Sequence, residues 1–165
     1  MLQIKKEFKN LIFELKDSEY KELEKSCLEY GIRDAIVTWQ DYIIDGHNRY
    51  EIAQKHNLDY KTIEMQFDDS DYVKAWMIIN QFARRNIIEW QKGVLGEQLE
   101  KIEEKIGLKE MSEGGKLNKE GLSIIDKPLK KDHQRHNTQK KVSKELGWST
   151  GKYGMFKVVK KHASE

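Results

Sequence analysis

Cysteine and proline are almost missing from this sequence: among 165 residues, Cys27 is the single cysteine and Pro128 the single proline. One cysteine excludes a disulfide within the chain and favours a reducing compartment, so we expect a cytoplasmic protein. We interpret Cys27 as a small buried residue of a helix, since no histidine and asparagine pattern surrounds it. No run approaches the ~20 apolar residues of a membrane span, and the first residues lack a secretory signal, so we expect no membrane partner.

Strong net charge is also lacking, but the small total of +2 conceals two oppositely charged parts. From residue 127 to the end, eleven lysines and arginines stand against three carboxylates, a local balance of +8, which leaves −6 on the preceding 126 residues. With 38% hydrophobic and 35% charged residues, the chain is expected to fold. Its basic end predicts a polyanionic partner, and a merely solvated lysine-rich end is the alternative.

The amino-terminal part of the chain predicts alternating strands and helices. In order, they are a strand over 8–15, a helix over 17–30, and two strands over 35–39 and 42–44. Asp17 and Gly31 are the expected cap and stop of the helix. Gln40 and Asp41 are the expected turn that joins the two later strands into a hairpin.

Further elements continue this pattern. They are a helix over 47–56, a strand over 63–67, a helix that starts at the acidic run 68–71, and a longer helix over 87–106. Asn57 is the expected stop of the first helix, Ile63 an inward residue of the half-buried strand, and Gly107 the end of the last helix. The acidic run is expected to cap its helix rather than to bind a metal. Residues 1–106 are thus predicted to form one α+β domain.

The basic end predicts a small helical segment behind a linker. Helical periodicity fails over 109–137, and we interpret residues 107–137 as a linker that is flexible or becomes ordered with a ligand. Thr138 then caps a short helix, Gly147 lies in a turn, and Ser149 or Thr150 caps a second helix. Two short helices joined by a glycine-containing turn are the outline of a helix-turn-helix, here over 138–165.

The sharpest functional signal is the run Asp-Gly-His-Asn-Arg at 45–49, which lies where a predicted strand ends and a helix begins. The first N–H groups of a helix are unpaired, its dipole is positive there, and a glycine lets a ligand approach the backbone. We expect the guanidinium of Arg49 to project from this helix start and to bind phosphate. A glycine turn followed by a surface arginine is the plainer alternative.

Three segments give this turn a context. They are YGIRDAIV at 30–37, IDGHNRYEIA at 44–53 and NQFARRN at 80–86. In their order and spacing, the chain resembles the N-terminal domain of the ParB/sulfiredoxin superfamily over about residues 11–106. The resemblance implies an α+β fold with a small mixed sheet and helices, followed by a helical segment. It also implies a site for a nucleoside triphosphate, CTP in ParB relatives, held by Gly46, His47, Asn48 and Arg49.

The second motif of that family falls on Asn80, Gln81 and Arg84, which the resemblance adds to the nucleotide site. Asn80 and Gln81 replace the acidic residue and the asparagine that help hold Mg²⁺ in ParB relatives. A neutral amide pair is a poor Mg²⁺ site, so the role of Mg²⁺ stays open and no metal ligand is predicted. Sulfiredoxin relatives carry a cysteine in the turn, where this chain has His47 and Asn48, so no catalytic residue is predicted.

In the basic end, lysines are predicted to contact DNA phosphates and three further side chains to lie near bases. The lysines are Lys140, Lys141, Lys144, Lys152, Lys157, Lys160 and Lys161, and the other three residues are Ser149, Thr150 and Tyr153. We therefore predict a DNA-binding protein of ParB-like type, acting in plasmid or mobile-element partition or in transcriptional control, and modulated by a nucleotide at the turn. The alternatives are a ParB-fold nucleotide-dependent kinase or nuclease and a protein-interaction module, and a homodimer is left open.

Overall fold

The computed structural model describes residues 2–83, 87–117 and 131–163. The chain divides into two compact units, Met1–Met77 and Ile78–Glu165, and the boundary lies within one helix. The first unit carries the sheet and the glycine turn, whereas the described residues of the second form helices.

The first unit contains a three-stranded mixed sheet. Its elements are α1 (Lys6–Lys9), α2 (Asp17–Tyr30), β1 (Ile36–Trp39), β2 (Tyr42–Asp45), α3 (His47–His56), β3 (Thr62–Glu64) and the start of α4 (Ser70–Phe82). The strand order is β2-β1-β3, in which β1 pairs antiparallel with β2 and parallel with β3. The predicted hairpin is confirmed: Gln40 and Asp41 have φ of 48° and 65°, the left-handed pair that matches the twist of a two-residue hairpin.

The expected opening strand over 8–15 is wrong, because the chain forms the short helix α1 there and then turns. Phe8 is fully buried, and its ring centroid lies 6.3 Å from that of Trp39. Leu11 and Ile12 pack against the same buried cluster. These two residues follow Phe8 by three and four positions, which is the helical period, but the segment is too short for the sequence to distinguish this period from a strand.

Helix α2 has the predicted bounds, and Gly31 ends it with φ of 72° and an N–H donated to the carbonyl of Cys27 at 2.9 Å. Its amino-terminal cap differs from the expectation. The N–H of Lys16 donates to the carboxylate of Glu19 at 3.0 Å, so Asp17 is already inside the helix. Cys27 is buried, as expected, and burial raises the pKa of its thiol.

Two further helix ends follow the sequence signals. Helix α3 has the predicted bounds and ends at Asn57, whose φ of 51° is left-handed. The acidic run caps α4 as expected, because the carboxylate of Asp69 accepts the N–H of Asp71 at 2.7 Å.

The expected half-buried strand over 63–67 is shorter and more exposed than predicted. Ile63 is 56% exposed on β3, one of the two edge strands of the sheet. Strand β3 ends at Glu64, and Met65 and Phe67 pack against the buried cluster after the chain has left the sheet. The alternating apolar residues therefore belong to two different local structures.

The described residues of the second unit form α5 (Glu89–Leu117), α6 (Lys131–Leu146) and α7 (Thr150–Ala163) beyond the end of α4. The expectation that Gly107 ends a helix is wrong, because α5 continues past it, and Thr138 lies inside α6 rather than at its cap. The predicted linker over 107–137 is thus helical at both ends, and residues 118–130 lie outside the described residues. No helix in the described ranges is long and apolar enough to cross a bilayer.

Burial explains why α5 continues through Gly93 and Gly96. Leu99, Ile102 and Ile106 are 0%, 7% and 5% exposed and lie on one side of the helix. Burying such a side chain contributes about 1.5–3 kcal/mol, whereas one glycine costs about 1 kcal/mol in a helix. Tertiary packing therefore outweighs local propensity in this element.

Two glycines of α5 lie where other helices of the unit approach closely. A Cβ on Gly93 would lie 2.4 Å from the ring of Phe156 on α7. A Cβ on Gly96 would lie 2.8 Å from Cδ1 of Leu146 on α6 and 3.3 Å from the ring of Tyr153 on α7. These glycines are therefore contact points between helices rather than weak positions of α5.

Candidate functional site

The glycine turn is formed where β2 ends at Asp45 and α3 begins at His47. Gly46 has φ of 90°, in the left-handed region that favours glycine. A Cβ at this position would lie 3.0 Å from Nη2 of Arg49 and 3.4 Å from the backbone of Ile36. Glycine is thus needed both for the backbone angle and for the arginine side chain that lies over it.

The guanidinium of Arg49 is held by groups of its own unit. It donates to the carboxylates of Asp34 and Asp45 at 3.0 Å each and to the carbonyl of Ala35 at 3.4 Å. Its side chain is 19% exposed. The expectation that Arg49 projects from the start of the helix is therefore wrong: the side chain lies back over Gly46 and joins α3 to the segment before β1.

A small cleft of about 180 Å³ lies beside the start of α3. Its lining residues are Lys9, Asn10, Ile12, Glu14, His47 and Asn48. The ammonium of Lys9 lies 2.9 Å from the carboxylate of Glu51, whose hydrogen bond raises the pKa of Lys9. Sites for drug-sized ligands usually measure about 300–1,000 Å³, so this cleft is smaller than that range, and a nucleotide at the turn stays a prediction.

The second motif lies in the other unit. Asn80 and Gln81 belong to the last turn of α4, and Gln81 is 4% exposed. Arg84 lies outside the described residues. The nucleotide role of these residues stays a prediction.

Four of the seven lysines predicted to bind DNA form ion pairs with glutamates of α5. The pairs are Lys141–Glu103 at 2.6 Å, Lys152–Glu89 at 2.6 Å, Lys157–Glu100 at 3.1 Å, and Lys160–Glu97. On α5, Glu97 and Glu100 are three residues apart. Their partners on α7, Lys160 and Lys157, are also three residues apart. This matched spacing was the available sequence signal, but it identifies partners only once α5 and α7 are known to pack together.

Tyr153 lies in the interior of the second unit. Its ring is fully buried, and its hydroxyl donates to the carboxylate of Glu100 at 2.9 Å. Burial and this hydrogen bond raise its pKa well above the usual tyrosine range. The expectation that Tyr153 lies near DNA bases is therefore wrong, because its side chain does not reach the surface.

Of the other predicted contacts, Lys161 is exposed in the last turn of α7, and the rest lie beside the turn between α6 and α7. Lys140, Lys141 and Lys144 line an open cleft of about 630 Å³ together with Ser143, Trp148 and Thr150. Three residues join the helices, and the first of them, Gly147, has φ of 69°. Of the two expected caps of α7, Ser149 is the one formed, its hydroxyl accepting the N–H of Lys152 at 3.1 Å, and Thr150 is the first residue of the helix. The cleft thus combines three ammonium groups with the positive end of a capped helix.

These two units define a mixed α+β protein in which a small sheet with a glycine turn precedes packed helices. Its fold is that of a ParB N-domain, and the predicted fold class is confirmed. A structure titled a pNOB8-like ParB N-domain matches with a TM-score of 0.65 and 18% identity, covering 96% of this chain and 61% of that one. The C2221 form of a Pnob8-like ParB-N domain matches with a TM-score of 0.64 and 18% identity, covering 92% and 62%.

The chain thus spans about three-fifths of the length of the ParB structures that it matches. Comparison of the sequence with protein-family models and with curated proteins finds no match. At 18% identity the likeness concerns the fold.

Proposed function

We propose that this protein binds duplex DNA through α6, the turn and α7, and that it acts in partition or transcriptional control as a ParB-type protein of a plasmid or another mobile element. The observation that carries the proposal is the cleft in which Lys140, Lys141 and Lys144 surround the start of α7. The ParB-like fold supports the same class of function.

The local geometry suits a helix-turn-helix. A short turn containing a left-handed glycine joins α6 to α7, which is the usual connection in that motif. Val142 and Leu146 on α6 and Tyr153 on α7 are buried, so the two helices share a core. In such motifs the second helix enters the major groove, and helix starts and nearby lysines hold the phosphates.

The ion pairs with α5 restrict which lysines bind phosphate. Lys157 and Lys160 are 31% exposed and already face carboxylates, so they add little attraction for DNA. Lys140 and Lys144 are exposed, and Lys141 is 57% exposed beside its partner Glu103. About three phosphate contacts are therefore expected from the cleft instead of seven.

Salt dependence of binding tests this proposal. Each neutralised phosphate contributes a slope of about −0.9 in log affinity against log salt, so three contacts predict about −2.7, or roughly a 40-fold loss between 50 and 200 mM salt. Fluorescence anisotropy with the full chain and mixed-sequence duplexes measures this slope. The variant Lys140→Ala/Lys144→Ala should reduce the magnitude of this salt slope by about two.

Lys101→Ala is the matched control, because it removes an exposed lysine of α5 outside the cleft and should leave the slope unchanged. An intact chain that binds no duplex, or a cleft variant that binds as tightly as the parent chain at every salt concentration, would contradict the proposal.

A nucleotide at the glycine turn is less well supported by the geometry. Arg49 is paired with Asp34 and Asp45, and the neighbouring cleft of about 180 Å³ is smaller than most sites for drug-sized ligands. The enzyme alternative needs a carboxylate poised beside a phosphate, but Asp45 and Glu51 are bound to Arg49 and Lys9. The proposed function accordingly rests on DNA.

A further inference from the structure

The outward face of α7 is apolar. Tyr153 is buried and Lys157 bonds to a glutamate of α5, which fixes the inward face of the helix. Gly151, Met155 and Val158 are spaced by four and three residues, so they share the opposite face. Met155 and Val158 are 65% and 54% exposed. Exposed apolar residues gathered on one face of a helix indicate an interaction surface.

Cationic side chains border this face on both sides. Lys140 and Lys144 line the cleft at the start of α7 on the α6 side. On the other side, the ammonium of Lys152 lies 4.4 Å from the ring centroid of Trp148 and is paired with Glu89. Both members of that pair are more than half exposed, so the pair is weak.

An apolar face between two cationic borders is complementary to the major groove of DNA, in which base edges lie between two phosphate backbones. A protein partner would have to leave the lysines facing apolar surface or supply matching carboxylates. The charge arrangement therefore favours duplex DNA as the occupant.

We propose that the α7 stripe, defined as Gly151, Met155 and Val158, reads the methyl groups of thymine in the major groove. Arginine, lysine, asparagine and glutamine are the usual readers of guanine and adenine, and the stripe contains none of them. Thymine is the base that presents a methyl group, and apolar side chains contact that group. The nearest atom to a Cβ on Gly151 would be Oγ of Ser149 at 4.0 Å, so the helix backbone can approach the groove there.

This inference rests on the proposed DNA binding and specifies which base edge α7 contacts. Its test compares duplexes that differ only in methyl groups. Duplexes retained by the full chain from a random-sequence pool are amplified once with thymidine triphosphate and once with deoxyuridine triphosphate. Competition in fluorescence anisotropy should show weaker binding of the uracil pool, by about fourfold for each methyl group that the stripe buries.

The variant Met155→Ala/Val158→Ala identifies the residues responsible. It should bring the thymine-to-uracil affinity ratio close to one while DNA binding through Lys140 and Lys144 persists with an unchanged salt slope. Leu108→Ala is the matched control, since Leu108 is a 59% exposed apolar residue of α5 outside the stripe. That control should keep the ratio of the parent chain.

The outcomes separate the two proposals. Tight duplex binding with equal affinity for the thymine and uracil pools would overturn the methyl reading and leave the DNA-binding function standing. Binding of no duplex would overturn both. If the stripe variant instead abolishes self-association in sedimentation velocity and leaves the thymine-to-uracil ratio unchanged, the stripe is an interface between copies of the chain and the inference is wrong.

Discussion

Replacing Gly96 by alanine should destabilise the second unit although it removes a helix-breaking residue. A Cβ at Gly96 would lie 2.8 Å from Cδ1 of Leu146 and 3.3 Å from the ring of Tyr153, and both of these side chains are buried. Overpacking of this kind costs about 1–3 kcal/mol, whereas alanine improves helix propensity by about 1 kcal/mol. The packing cost is therefore expected to equal or exceed the gain.

Gly154→Ala is the matched control for this prediction. It is the same substitution in a helix of the same unit, and its Cβ would lie 3.7 Å from Nε2 of Gln139, an ordinary contact. The propensity gain is common to both variants, so the difference between their free energies of unfolding isolates the overpacking cost of about 1–3 kcal/mol.

Urea unfolding followed by tryptophan fluorescence measures this difference. Trp90 and Trp148 both pack against Phe156 on α7, with centroid distances of 5.1 and 5.8 Å, so they report on the second unit. With a slope of about 2 kcal/mol per molar urea, the Gly96→Ala midpoint should lie roughly 0.5–1.5 M below that of Gly154→Ala. Equal midpoints for the two variants would refute the close approach of α5 to α6 and α7.

Arg49→Ala should lower the stability of the first unit by about 1–3 kcal/mol, because it removes a hydrogen bond from the largely buried Asp45 carboxylate. Urea unfolding of the variant and of the parent chain measures this loss. An unchanged midpoint would show that Arg49 is a surface residue. Gly46→Ala should cost about 1–2 kcal/mol in the same assay, since its φ is 90°, whereas Gly151→Ala, with open space around it, should not. The raised pKa of Tyr153 keeps its phenol protonated in the folded chain while the unfolded chain ionises, so stability should fall as pH rises above about 10. Tyr153→Phe should lose less stability than the parent chain over that pH window, and equal losses in alkaline melts would contradict a buried phenol.

The sequence predicts the first unit well where structure is set by neighbouring residues. Gly31 and Asn57 end helices because they adopt left-handed backbone angles, and Asp69 caps a helix through its own side chain. The mixed α+β fold follows from these elements together with the resemblance carried by three segments. The expected strand over 8–15 failed because a four-residue helix anchored by one buried phenylalanine is too short to show a period.

The candidate site shows the opposite case. The position of Gly46 before α3 is evident from the sequence, but the direction of the Arg49 side chain depends on Asp34, fifteen residues earlier in the chain. The cleft beside the start of α3 likewise depends on Lys9, which local patterns do not connect with this turn. The sequence therefore locates the turn, but it does not show that the carboxylates of Asp34 and Asp45 pair with Arg49.

By itself, the sequence determined the bounds of α2 and α3, the hairpin, the glycine turn and the excess of lysine near the end. Those features depend on backbone propensity, capping and composition, which act over a few residues. Only the tertiary structure decided that Lys157 and Lys160 face glutamates of α5 while Lys140 and Lys144 stay exposed. Identical side chains acquire different roles there, because an electrostatic interaction depends on distances between groups that chain folding brings together from positions far apart in sequence.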